Sequence, residues 1–488
     1  MTLNLDPTTE PTPVVGDGRP LPAGFLLGAA TAAYQIEGAR HEGGRRDSIW
    51  DTFSHTPGAV VAGDTGDVAC DHYHRYAADV ALMKRLGLQS YRFSTSWARV
   101  CPDGGPVNAT GLDFYERLVD ELLGAGIAPW LTLYHWDLPQ ALEDRGGWRA
   151  RETIDRFVDY ALAVHDRLGD RVQTWTTLNE PWCSAFLGYT SGEHAPGGSS
   201  ADDGLAAAHH LLLAHGTVVR ALRSRDAQLR LGVTLNFTVA DPLDASDPGD
   251  VAAARRVDGQ MNRLFLDPIF YGHYPPDVLE AVHGLGLERH VQDGDLALIN
   301  TPIDVLGVNY YNGGVFSHRP PAPARRPTGG PATERAYRSP YPAPDGIHDH
   351  PAGLPVTDMG WPIQPEGLTR LLVRLHEEYA APAGVELFVT ENGAAFDDVP
   401  DGEGFVDDRD RTAYLVRHLH AVLDAVEAGA RVHGYFYWSL LDNFEWAWGY
   451  GQRFGIVRVD YATQERTPKA SALALQDVIA RRQLPGRG

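Results

Sequence analysis

The run Trp175-Thr176-Thr177-Leu178-Asn179-Glu180-Pro181 reads as a short β-strand that stops on a carboxylate. It opens on aromatic and β-branched residues, which strands favour, and Pro181 ends it at once. A second run far along the chain, Leu387-Phe388-Val389-Thr390-Glu391-Asn392-Gly393, has the same plan. An unpaired charge at the end of a buried strand is costly to desolvate. Two such ends, each beside an asparagine, predict two carboxylates facing one site.

Working outward from these runs, strand-like segments recur at 24–34, 90–97, 128–136, 174–180, 230–237, 304–311, 386–392 and 434–441. Several are near-continuous apolar or β-branched runs, as strands covered on both faces should be. Helical patterns separate them. Between the first two, Tyr73, Tyr76, Val80, Met83 and Leu86 recur at steps of three or four across 71–86, and the stretches 151–168 and 204–223 behave alike. This alternation predicts an α/β fold, a single (β/α)8 TIM barrel with long loops on the catalytic face. A doubly wound open sheet would need a glycine-rich phosphate turn after an early strand; Gly43-Gly44-Arg45-Arg46 reads as a loop instead. The expected organisation is a flexible N-terminal tail over 1–20 and a catalytic barrel over 21–485. A Pro-rich insertion at 316–358 is read as a mobile rim on the catalytic face.

Composition narrows the partners. With 488 residues, 43% of them apolar, the chain can bury a large core. A formal charge of −22 argues against a nucleic-acid backbone or an anionic membrane. No uninterrupted apolar stretch is long enough to span a bilayer. Three scattered cysteines, Cys70, Cys101 and Cys183, give no disulfide framework and no zinc spacing, so a cytoplasmic location is expected. His209, His210 and His215 read as packing residues, and His72 and His74 point to different sides of a helix. His348-Asp349-His350 has side chains able to catch an ion, yet no set of histidines and carboxylates demands a catalytic metal.

In such a barrel the chemistry sits at the strand C-terminal ends. Those ends carry Gln35, Arg92, His135-Trp136-Asp137, Asn179-Glu180, Asn309-Tyr310-Tyr311, Glu391-Asn392 and Trp438, with Glu445 and Trp446 just beyond. Gln35, His135, Asn179, Glu445 and Trp446 are suited to pairs of sugar hydroxyls, and Trp438 to the apolar face of a ring. Cleaving an acetal needs a proton donor for the leaving oxygen and an anion facing the developing oxocarbenium ion. Glu180 and Glu391 are the natural pair, with Arg92 placed to hold one of them ionised.

Taken together, Phe25 through Gly38, Ser48-Ile49-Trp50-Asp51-Thr52-Phe53, Tyr91-Arg92-Phe93-Ser94, Tyr134-His135-Trp136-Asp137-Leu138-Pro139, Thr177-Leu178-Asn179-Glu180-Pro181, Gly307-Val308-Asn309-Tyr310-Tyr311, Thr390-Glu391-Asn392-Gly393 and Tyr437 through Trp446 resemble glycoside hydrolase family 1, the retaining β-glucosidases and their relatives. The resemblance implies that Glu180 is the general acid/base and Glu391 the nucleophile. It implies that Arg92 and Tyr311 steady Glu391 and that Asn309 bonds near Glu180. Gln35, His135, Asn179, Glu445 and Trp446 would bind the glycone over Trp438. Trp182, Trp361 and Phe454 would line the aglycone entrance; Leu187, five residues after Trp182, is read from its position as joining them in an apolar collar. Members acting on 6-phosphorylated sugars lack the Glu-Trp pair, so Glu445-Trp446 favours an unphosphorylated substrate.

The implied activity is cofactor-free, exo-acting release of terminal β-D-glucosyl units from cello-oligosaccharides and aryl or alkyl glucosides. The partner is a small-molecule substrate. Preference for β-galactosides or β-fucosides, or mainly transglycosylation, are the alternatives, and product ratios at high substrate discriminate the latter. A non-catalytic sugar-binding barrel is disfavoured by the intact carboxylate pair.

Overall fold

The computed structural model describes residues 18–321, 331, 333 and 335–487. Eight parallel strands close into a barrel: β1 (Leu26–Ala30), β2 (Ser90–Ser94), β3 (Ala128–Tyr134), β4 (Thr174–Asn179), β5 (Arg230–Phe237), β6 (Val305–Tyr310), β7 (Glu386–Asn392) and β8 (Val432–Trp438). Each lies within its predicted segment or within two residues of it. The ring closes by pairing β8 with β1, from Gly434 opposite Leu26 to Trp438 opposite Ala30. Helices cover the outside, among them α1 (His72–Arg85), α2 (Ala109–Gly124), α3 (Glu152–Leu168), α4 (Ala201–Arg225) and α5 (Arg409–Glu427).

The strands are buried on both faces, which is why their sequences read as unbroken apolar runs rather than alternating ones. Inside the barrel the Trp130 ring meets Phe388 edge-on at 5.0 Å and Phe436 at 5.2 Å. Gly28 makes room for this filling, since a Cβ there would come within 2.7 Å of the Phe436 ring and 2.5 Å of the Ser90 carbonyl. The barrel interior is thus filled by side chains below its upper rim.

Helix α4 shows how the shell supports the strands. Ser200 caps its first turn by accepting from Asp203 N. Its three histidines pack as expected. His209 bonds Tyr274 and Asp295, His210 bonds the Trp148 carbonyl, and His215 meets Thr177 Oγ1 at 2.7 Å behind β4.

Two segments differ from the sequence reading. Residues 1–17 of the expected tail lie outside the described residues, but Arg19–Pro20 pair antiparallel with Gln483–Leu484. Arg19 also bonds Asp424 on α5. A strand pair and an ion pair hold this end of the segment against the barrel. In the Pro-rich insertion, residues 322–330, 332 and 334 lie outside the described residues. The remainder is anchored, because His348–His350 pair with Gly314–Ser317, which pair in turn with Ala240–Pro242. Proline density hid this three-stranded sheet, whose strands are only three or four residues long.

No helix among the described residues is long and apolar enough to cross a membrane.

Candidate active site

Above the plugged barrel the strand ends open into a cavity of about 600 Å³. Its wall includes His135, Glu180, Asn309, Tyr311, Glu391, Trp438, Glu445 and Trp446, together with Trp182, Leu187, Trp361 and Phe454. Gln35, Arg92 and Asn179 stand just behind, each bonded to a residue of that wall.

The backbone is irregular where the carboxylates emerge. The pairing of β4 with β5 shifts register between Thr176 and Asn179, and the pairing of β7 with β6 shifts between Val389 and Glu391. Such irregularities re-aim a side chain at the rim of a barrel. Glu180, Trp136 and Trp446 also adopt left-handed backbone conformations, with φ of 47°, 75° and 49°. These cost about 1–3 kcal/mol each for residues with a side chain and persist only where the surroundings enforce them.

A hydrogen-bonded chain joins the two carboxyls. Arg92 donates from Nη1 to Glu391 Oε1 and from Nη2 to Asn179 Oδ1, both at 2.6 Å. Tyr311 donates to Glu391 Oε2 at 2.6 Å. Asn309 donates to Glu180 Oε1 at 2.6 Å and to Asn179 Oδ1 at 3.1 Å, while Thr390 fixes its orientation by donating to its Oδ1 at 2.8 Å. Because arginine only donates, Asn179 must present its oxygen to Arg92 and its amide to His135 Nε2, 3.0 Å away. His135 is therefore the Nδ1–H tautomer. Burial, and then Arg92, push its pKa well below the usual histidine range, so it is neutral.

The two carboxyls are electrically unequal. Burial pushes both up. On Glu391 this is opposed by the Arg92 charge and by the Tyr311 and Arg92 hydrogen bonds, so Glu391 ionises first. Its charge then adds to burial on Glu180, whose pKa is pushed up to about 8. Glu445, bonded by Gln35 Nε2 at 3.4 Å, is also pushed up to about 8, by burial and by the charges of Glu391 and Glu180. Of the three carboxyls, Glu391 is thus the readiest to ionise, and Glu180 and Glu445 hold their protons longer.

Aromatic rings surround this polar floor. The His135 ring stacks on Trp438 at 5.6 Å, and Trp446 packs on Trp136 and Trp50, both at 4.5 Å. The entrance residues fall in two groups. Trp361 lies 6.0 Å from Phe454 and 5.4 Å from Tyr311. Trp182 instead meets Tyr341 at 6.2 Å, and Leu187 lines the cavity as well.

Sequence reasoning missed Tyr341, Asn236 and Cys183, all of which line the cavity. Tyr341 belongs to the Pro-rich stretch and carried no signal. Cys183 had one, its place three residues after Glu180. Asp247, Asp250 and His318 are the one trio among the described residues that brings three metal-ligand atoms together, but they lie outside the cavity wall, and Arg319 and Ser317 already bond them.

Such a barrel, with two unequal carboxyls at the ends of β4 and β7, is built as a glycosidase. The model of glycosyl hydrolase family 1 matches residues 18–484, and the chain belongs to that family. It is 53% identical over 462 residues to thermostable beta-glucosidase B of Thermobispora bispora, covering 94% of this chain and 90% of that protein. It is 50% identical over 463 residues to a bifunctional beta-D-glucosidase/beta-D-fucosidase of Bifidobacterium breve, covering 92% and 96%. The crystal structure of the psychrophilic beta-glucosidase BglU from Micrococcus antarcticus superposes with a TM-score of 0.92 at 53% identity, covering 94% of this chain and 97% of that one. The beta-glucosidase from Thermotoga maritima in complex with deoxynojirimycin gives 0.86 at 43% identity, covering 96% and 100%.

Proposed function

We propose that the chain is a retaining, exo-acting β-glucosidase working on terminal β-D-glucosyl units of cello-oligosaccharides and aryl or alkyl glucosides. The observation that carries this is the unequal pair, with Glu391 bonded by Arg92 and Tyr311, which favour its charged form, and Glu180 pushed up to about 8. Glu391 attacks the anomeric carbon as the glycosidic bond breaks, and Glu180 gives its proton to the leaving oxygen. The product is a glucosyl ester on Glu391, which removes that residue's charge. Without that charge the pKa of Glu180 falls, so the carboxylate left after proton transfer persists, and it takes a proton from water as the water attacks the anomeric carbon and Glu391 leaves as a carboxylate. Two inversions leave the β configuration. His135, Asn179, Gln35, Glu445 and Trp446 bind the sugar hydroxyls, and Trp438 covers the ring. Three buried free cysteines suit a reducing cytoplasm.

NMR of the first sugar released from an aryl β-glucoside tests the reading. β-Glucose is expected, and α-glucose overturns the double displacement.

A β-fucosidase activity of the same site is the second reading, favoured by the dual activity named for the Bifidobacterium breve relative. Aryl glycosides differing only at C4 and C6 separate the two.

A further inference from the structure

One side chain in the cavity wall touches a reacting carboxyl and has no part in the scheme above. Cys183 Sγ lies 3.2 Å from Glu180 Oε2, and Asn236 Nδ2 lies 3.6 Å from the same sulfur. The chain turns helically after Glu180, with Cys183 N bonding the Glu180 carbonyl at 3.0 Å. Residues three apart on such a turn share a face, which returns the thiol over its own carboxyl. An amide nitrogen can only donate, so Asn236 fills a lone pair of the sulfur and the single thiol hydrogen is left for Glu180. The two oxygens of Glu180 are then distinct. Oε1 is held by Asn309 at 2.6 Å. Oε2 is the oxygen left to carry the transferable proton, and it is the one beside the sulfur.

We propose that Cys183, oriented by Asn236, is a positioning residue whose thiol donates to Glu180 Oε2 and stabilises the carboxylate that appears each time the proton leaves. This rests on the acid/base role of Glu180 given above. Burial and the neighbouring carboxyls push the thiol well above its usual range, so it remains a donor through the cycle and never competes as a nucleophile. A donor to a developing anion strengthens as charge builds, so the contact acts most when Glu180 has given up its proton. Glu391 on β7, Arg92 on β2, and Glu445 and Tyr311 beyond β8 and β6 also face Glu180, and Glu193 faces the thiol. All of these remain when only the sulfur is removed.

The test is the pH dependence of kcat/KM on an aryl β-glucoside for the wild type, Cys183→Ala, Cys183→Ser and Glu180→Gln. Losing the donor destabilises the carboxylate, so the alkaline limb should rise by about half to one pH unit in Cys183→Ala. The hydroxyl of Cys183→Ser should return the limb to the wild-type position or below it. A packing role alone would lower the rate equally at every pH, and an alkaline limb unmoved in both variants overturns the proposal. If Cys183→Ala yields no folded protein, a limb in Asn236→Leu unmoved from wild type does the same. Should Glu180→Gln keep the alkaline limb, it is the acid/base assignment that fails; a limb lost in Glu180→Gln but unmoved in the cysteine variants sinks the thiol proposal alone.

Discussion

Arg92, at the middle of β2, reaches Glu391 at the end of β7, with Nη1 2.6 Å from Oε1, although β8 and β1 stand between the two strands. The contact crosses the barrel mouth, and the other arm of the same guanidinium holds Asn179. Arg92→Lys supplies a single ammonium that cannot span both partners. Its kcat should fall by on the order of 10²-fold, because small displacements of reacting groups are that costly. Since Arg92 favours the charged form of Glu391, the acidic limb of the pH profile should also move to higher pH. A limb left in place would remove Arg92 from the control of Glu391.

Glu391→Gly should abolish hydrolysis and leave the fold intact. The cavity left by the carboxylate admits α-glucosyl fluoride, which mimics the missing ester, so the variant should form β-linked products with an aryl glucoside acceptor. Unchanged hydrolysis would take the nucleophile role away from Glu391.

Replacing Glu180 by Ala should slow glucosides with poor leaving groups by about 10²–10⁴-fold and those with good leaving groups far less. Equal losses for both would mean that Glu180 does not supply the proton.

Two carboxyls, Glu180 and Glu445, are pushed up to about 8, so the alkaline limb needs an owner. A group with a raised pKa keeps its proton below that value, and the acid is lost as the pH rises through it. The limb near pH 8 should disappear in Glu180→Gln and persist in Glu445→Gln, whose amide copies the neutral acid. Glu445→Gln should instead raise KM. Loss of the limb in Glu445→Gln alone would exchange the two assignments.

The aromatic collar is divided, with Tyr341 on Trp182 and Phe454 on Trp361. Tyr341→Ala should lower kcat/KM for aryl glucosides by roughly 2- to 10-fold, the value of one aromatic contact. Smaller polar residues at Trp182 and Leu187 should strengthen inhibition by glucose, because an apolar outer wall gives free sugar little to bond. Unchanged glucose inhibition would dismiss the collar as its cause.

The barrel was legible because each strand is largely buried on both faces, and Glu180 and Glu391 stood out because each ends a strand-like run bracketed by motif residues. What stayed hidden depends on geometry that no periodicity encodes. Tyr341 reaches Trp182 from a stretch whose prolines masked its strand pairing. The register shifts before Asn179 and Glu391 come from the ladder and not from any one residue type. Arg19 and Pro20 looked like a tail because two residues are too few to show alternation, yet they pair with Gln483–Leu484.

The left-handed backbone at Trp136, Glu180 and Trp446 has an evolutionary corollary. At Trp136 and Trp446 the buried rings pack on each other, and losing either costs more than the strain it carries; only at position 180 would glycine relieve the backbone at little packing cost. At position 180 it would also relieve a buried acid that burial and Glu391 both disfavour. Drift toward thermal robustness alone would therefore erode this site first. Screens of this chain for higher melting temperature, run without an activity gate, should enrich dead variants at position 180.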